Sequence, residues 1–259
     1  MSTPNSRSVQ VRILRSLVSI LGFGVGCGGT AALAVNIAPQ GSGILGNNTA
    51  LNTTYGTSIV HAGSLTVIND GVVTGAGDPG VDTFDPATAS ATVSFVGIRW
   101  TTPRTDSIIS LTLNMETFFD GGWFGPNSSS PGNGGTLTSA FLSDATVQFS
   151  LSADPTAATA VWSNAAATSN YLSALNGHVI GTNGGTNPTV PPAATWTLNT
   201  PLTGVTAVRL IGSEGGLAAA QGGFIGVREL AVEAVPEPSA VLALIGGAGV
   251  LGLRYRWRR

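Results

Sequence analysis

The chain contains no lysine. That excludes a phosphate-binding loop, which needs its Lys, as well as Schiff-base chemistry and a Lys general base. Its single cysteine, Cys27, lies close to the N-terminus. The rest of the chain therefore has no disulfide of its own, no thiolate metal site and no Cys nucleophile. Histidine is confined to His61 and His178, neither with a second histidine four residues away, so a helical zinc motif is excluded. No G-x-S-x-G turn occurs, and a Ser-His-Asp group would have to be assembled from distant segments around one of those two histidines. Charge is scarce at 9% of residues, and helical periodicity is almost missing.

The few charges are unevenly placed. Arg7, Arg12 and Arg15 precede an apolar, Gly-interrupted stretch from Leu17 to Val25. Ala32-Leu33-Ala34 then offers small residues at the −3 and −1 positions of a signal-peptidase cut before Val35. A lipoprotein cut before Cys27 fits less well, because Gly24 stands where a Leu is usual. Residues 1–34 are thus expected to be an export signal. At the other end Ser239 to Leu253 carries no charge over about 15 residues, short of the ~20 that comfortably span a bilayer. Arg254, Arg256, Arg258 and Arg259 follow, with Tyr255 and Trp257 between them. Arginines on the outer flank of both apolar segments place both termini in the cytoplasm and the rest outside.

Between them lies a body, 35–234, long enough for one domain with a sizeable core. It holds four arginines (Arg99, Arg104, Arg209, Arg228) against twelve carboxylates, a net charge near −8. So acidic a body excludes a nucleic-acid partner, whose binding rests on phosphate neutralisation. Gly, Ser, Thr, Asn and Ala are abundant, as suits short strands joined by turns. Strands are expected at Ser64–Ile68, with Asn69-Asp70-Gly71 turning into a return at Val72–Thr74, and at Val93–Trp100. In the next strand Ile109, Leu111, Leu113 and Met115 alternate with polar residues; Val147, Phe149 and Leu151 do so in another. Asn170 to Gly177 reads as a helical turn or two. Thr195–Leu198, Val205–Ile211 and Phe224–Glu233 complete the set, the last with a phase change that predicts a bulge near Gly226 to Arg228. Eight or more short strands without helices predict an all-β protein, an antiparallel β-sandwich or jelly roll.

The terminal features resemble a known signal. Pro236-Glu237-Pro238, a short apolar segment with Gly246, Gly247, Gly249 and Gly252, and the arginine cluster match the PEP-CTERM sorting signal in order and spacing. The resemblance implies an exosortase-type membrane enzyme as partner, a single C-terminal transmembrane helix before processing, and a destination in the cell envelope or extracellular polysaccharide. The body resembles the galactose-binding-like, discoidin-type sandwich through Ile68-Asn69-Asp70-Gly71 and the closing Phe224–Val232 stretch, FIGVRELAV. The cysteine pair that usually joins the ends of discoidin domains is missing.

Candidate sites within the body are four. Phe118-Phe119-Asp120-Gly121-Gly122-Trp123-Phe124 gathers four aromatics around two glycines. It is either a platform on which sugar faces stack on Trp123 and Phe124 while Asp120 binds hydroxyls, or a satellite core under a long loop. Arg99 and Arg104, which flank Trp100, would hold a sugar or carboxylate or cap strand ends. Asp78, Asp82 and Asp85 share a turn-rich loop with short spacings that suit Ca²⁺, and the resembled fold implies a structural calcium; a solvated acidic loop is the alternative. Glu116 with Asp120, or Glu214, would be the carboxylates of a glycoside hydrolase. Carboxylates scattered over a sandwich surface are mostly solvated. The sequence thus favours a non-enzymatic, structural or adhesive envelope protein over a carbohydrate-binding module, and that over a hydrolase.

Overall fold

Alternation of apolar and polar residues puts one face of each strand into a common core, and two such sheets stack. The computed structural model describes residues 33–46, 65–73, 81–83, 93–126, 129–183, 188, 190–217 and 223–237. Their strands are β1 (Val35–Asn36), β2 (Ser42–Gly46), β3 (Val81–Asp82), β4 (Val93–Arg99), β5 (Ser107–Met115), β6 (Gly121–Phe124) and β7 (Thr146–Ser150). β8 (Trp162–Ala165), β9 (Ala167–Ser169), β10 (Ala193–Leu202), β11 (Ala207–Gly216) and β12 (Gly226–Val235) follow, with one short helix, α1 (Tyr171–Leu175), between β9 and β10. One sheet runs β1-β12-β5-β10-β9 with β3 also on β12; the other runs β2-β4-β11-β7-β8 with β6 also on β11. Every pairing between these strands is antiparallel. The protein is an all-β sandwich.

The inner faces supply the core. Leu111, Leu113 and Met115 of β5 and Leu230 and Val232 of β12 meet Val96, Ile98, Val208 and Leu210 of the facing sheet, all fully buried. On the outer face of the second sheet a smaller cluster forms around Ile44, Phe95 and Ile211. There the Arg209 guanidinium stacks on Trp162 at 3.8 Å and Phe95 at 4.8 Å while it donates to Gln148. Gly97 makes room for it, since a Cβ there would stand 2.7 Å from that of Arg209.

Several expectations are corrected. Ser64–Ile68 is not a strand: Leu65–Ile68 is a 3₁₀ helix. The Asn69 side chain pins its exit by donating to the carbonyls of Ala38 and Gly41, and Ile68 is buried against β2. Four or five apolar residues carry too weak a pattern to resist such docking. Gly71 takes the left-handed turn (φ 83°), but Val72 and Val73 leave it exposed and unpaired with any described strand. In β5 the buried residue is Ile108, not Ile109, because Ile109 is an extra residue: Ala234 pairs with Ile108 and Glu233 with Ser110. In β7 the inward run stops at Ser150, and Leu151 is 64% exposed. The bulge expected in β12 is present, between Val227 and Glu229.

The molecule has two distinct ends. At the near end the chain enters at Val35, paired with Ala234, and β12 finishes at Val235, paired with Ser107. At the far end β11 finishes at Gly216 and β12 begins at Gly226. Among the described residues no helix is long and apolar enough to cross a membrane; the apolar segment 239–253, Pro238 and the arginine cluster lie outside them, as does the leader through Ala32.

Candidate functional site

The aromatic stretch forms β6 at the far end. Its two glycines explain why a strand fits where the sequence reads as loop. Gly122 has φ 114°, and a Cβ on it would stand 2.1 Å from the Glu116 carbonyl oxygen. Backbone thus approaches backbone where a side chain would not fit. β6 pairs Trp123 with Gly215 and Phe124 with Glu214. Both rings are 0% exposed. Trp123 Nε1 donates to the Phe141 carbonyl at 3.0 Å, and Phe124 makes edge contacts with Tyr171 and Trp196. Phe118 packs on Phe224 with ring centres 5.5 Å apart. Phe118 is half-buried, whereas Trp123 and Phe124 are core, and neither of these two offers a face to a ligand. Asp120 is half-buried, and desolvation raises its carboxyl above the ordinary range. Arg99 is not brought to them. It pairs with Ala207, seven residues along β11 from Glu214, or about 23 Å.

The acidic loop is likewise divided. Asp78 and Asp85 lie outside the described residues, while Asp82 is buried in β3. Its neighbour in the field is Glu214, 2% exposed, whose Oε1 accepts from Thr83 Oγ1 at 2.8 Å and from Ser94 Oγ. Desolvation pushes the Glu214 carboxyl up to about 7, against the pull of those two hydroxyls and with a further push from Asp82. Glu116, 5% exposed, is ion-paired with the buried Arg228 at 3.4 Å. Thr117 Oγ1 and His178 Nε2 lie 2.9 Å apart, but Thr117 is buried, and desolvation lowers the His178 pKa. The three carboxylates considered for hydrolysis therefore do not face one cleft. Glu116 and Glu214 are both buried at the far end.

One carboxylate was not singled out by the sequence. Glu229, at the bulge of β12, accepts from the Gly71 amide through Oε1 at 3.2 Å, while its buried Oε2 has no hydrogen-bond partner among the described residues. Desolvation pushes this carboxyl up to about 7, with Asp70 adding to the rise. A cavity of about 380 Å³ lies against the same turn, lined in part by Pro39, Gly43, Asn69 and Asp70. Were a structural cation held at this turn, Asp70, which lines the cavity, and the Glu229 Oε2 would be its carboxylate ligands. Among the described residues no three His, Cys, Asp or Glu side chains gather as a ligand set. The signal that could have found Glu229 is the Asp-Gly turn read together with the phase change in β12.

Neither the comparison with protein families nor that with curated proteins gives a match. Among solved structures the chain is similar to the F5/8 type C domain of a Bacteroides fragilis protein. Identity is 10%, coverage 80% of this chain and 99% of that chain, and the TM-score 0.34. So distant a likeness says nothing of ligand or activity.

Proposed function

We propose that the chain is an exported, non-catalytic sandwich of galactose-binding-like architecture that carries a PEP-CTERM sorting tail and serves a structural or adhesive role in extracellular polysaccharide. The observation that carries this reading is where the sandwich stops. β12 keeps its pairing to Val235, after which Pro236 and Glu237 continue without regular structure and Glu237 is exposed. Among the described residues β12 is the last strand and ends at Val235, and Pro236 fixes an extended backbone that a protease can read. The burial of Glu116 and Glu214 supports a binding or structural role over hydrolysis. The expected partners are an exosortase-type enzyme during sorting and a matrix polysaccharide afterwards. Fractionation of the native cell surface tests the role: the protein should co-fractionate with polysaccharide and be released when the polysaccharide is digested. Release unaffected by digestion would count against it.

A further inference from the structure

If the tail is a membrane stop, as proposed above, the tether between sandwich and bilayer has a bounded length. Only Pro236, Glu237 and Pro238 separate the last paired residue, Val235, from the uncharged run that starts at Ser239. Fully extended, that connection reaches about 10–14 Å. The headgroup layer on each side of the hydrocarbon is itself ~5–8 Å deep. With residues 239–253 inserted, the near end of the sandwich has to stand at the lipid surface.

That end presents an ordered apolar pair. Leu151 is 64% and Val161 69% exposed. They flank the last cross-strand pair of β7 and β8, Ser150 with Trp162, and continue the inward-facing phase past the point where the other sheet covers it. The pair is held in place: Ser150 Oγ donates to the Val161 carbonyl at 2.9 Å, and the Val161 amide donates to Ser152 Oγ at 3.0 Å. It shares this end with the chain's entry and exit. Ser150 pairs with Ala207, Ala207 with Arg99, and the short connections 100–106 and 203–206 cross there between sheets. The two body arginines that are not buried, Arg99 and Arg104, lie here too, but they pair with Asp154 and Asp106. The surface has no net positive charge for anionic headgroups, so lipid contact would rest on apolar area alone.

We propose that, while the tail tethers the chain, Leu151 and Val161 sit in the headgroup region of the membrane and hold the sandwich with its far end outward. Environment-sensitive labels test this on the chain as it stands after the expected cut, residues 35–259, in phosphatidylcholine vesicles. A label is placed singly through Leu151→Cys, Val161→Cys or Leu217→Cys, the last 51% exposed but at the far end. Labels at 151 and 161 should shift to the blue and be quenched by lipid-borne quenchers, at low and high salt alike, while the label at 217 stays as in water. If the chain associates with vesicles but 151 and 161 stay water-like, the seating is refuted and the tail reading stands. If it does not associate at all, both fall. A blue shift without lipid that grows with protein concentration would assign the pair to contact between two copies and overturn the proposal. Unchanged melting of the labelled variants establishes that the fold is intact.

Discussion

Glu214 shows what a single buried carboxyl does to a sandwich of this kind. The folded protein holds its proton to about pH 7, whereas a free Glu releases it near 4.5. The folded state thus binds more protons than the unfolded state across that window, and stability declines as pH rises through it. Above about pH 7 the loss is complete, on the order of 3 kcal/mol. Glu214→Gln keeps a group that can bond Thr83 and Ser94 but removes the titration, so denaturation midpoints between pH 5 and pH 8 should be flatter than in the parent; an equally steep decline would clear Glu214 of responsibility. Glu229 is raised for the same reason, but a bound cation would remove its share of the penalty. Chelation with EGTA should lower the melting temperature, by linkage of binding to folding, and Glu229→Gln should abolish that response. No response in the parent would dismiss the cation. Arg228 and Glu116 form a buried ion pair, so Arg228→Met alone should cost about 3–5 kcal/mol by stranding the carboxylate. Replacing both by apolar residues should recover most of it in denaturant melts.

At the scale of elements, strands with long, clean alternation were legible from sequence and those made by close approach were not. β4, β5, β7, β10, β11 and β12 announced themselves because each carries apolar residues, aliphatic or aromatic, along its inner face over five residues or more. Even there, Ile109 misled: an inserted residue reverses the phase without changing composition. β6 was hidden because its strand character depends on Gly121 and Gly122 fitting against Phe224 and Glu116, contacts with no local signature. The burial of Trp123 and Phe124 favours the core reading of these two rings. Trp123→Ala should destabilise the protein by about 3–5 kcal/mol, as loss of a large buried aromatic does. Gly122→Ala should also lower the melting temperature, through its positive φ and the carbonyl a methyl would strike. A Trp123→Ala variant with unchanged stability would mean the ring is not in the core. The site residues fared unevenly for the same reason. Arg99 and Trp123 both suit a sugar site but stand at opposite ends, and only the sheet register reveals that.

For the whole molecule, the first and last strands among the described residues, β1 and β12, lie side by side. With Cys27 the chain's lone cysteine, no intramolecular disulfide joins them, so melting should be the same with and without reductant. The segment after Val235 is read from sequence alone, as a motif, an apolar run and an arginine cap, and beyond Glu237 it lies outside the described residues. The central claim is that this tail is a signal for retention and cleavage rather than part of the working protein. Mass spectrometry of the protein recovered from its native envelope tests it most directly. The account predicts that the mature protein lacks peptides from Leu242 to Arg259; intact C-terminal peptides throughout the mature pool would contradict it and make the tail a permanent anchor.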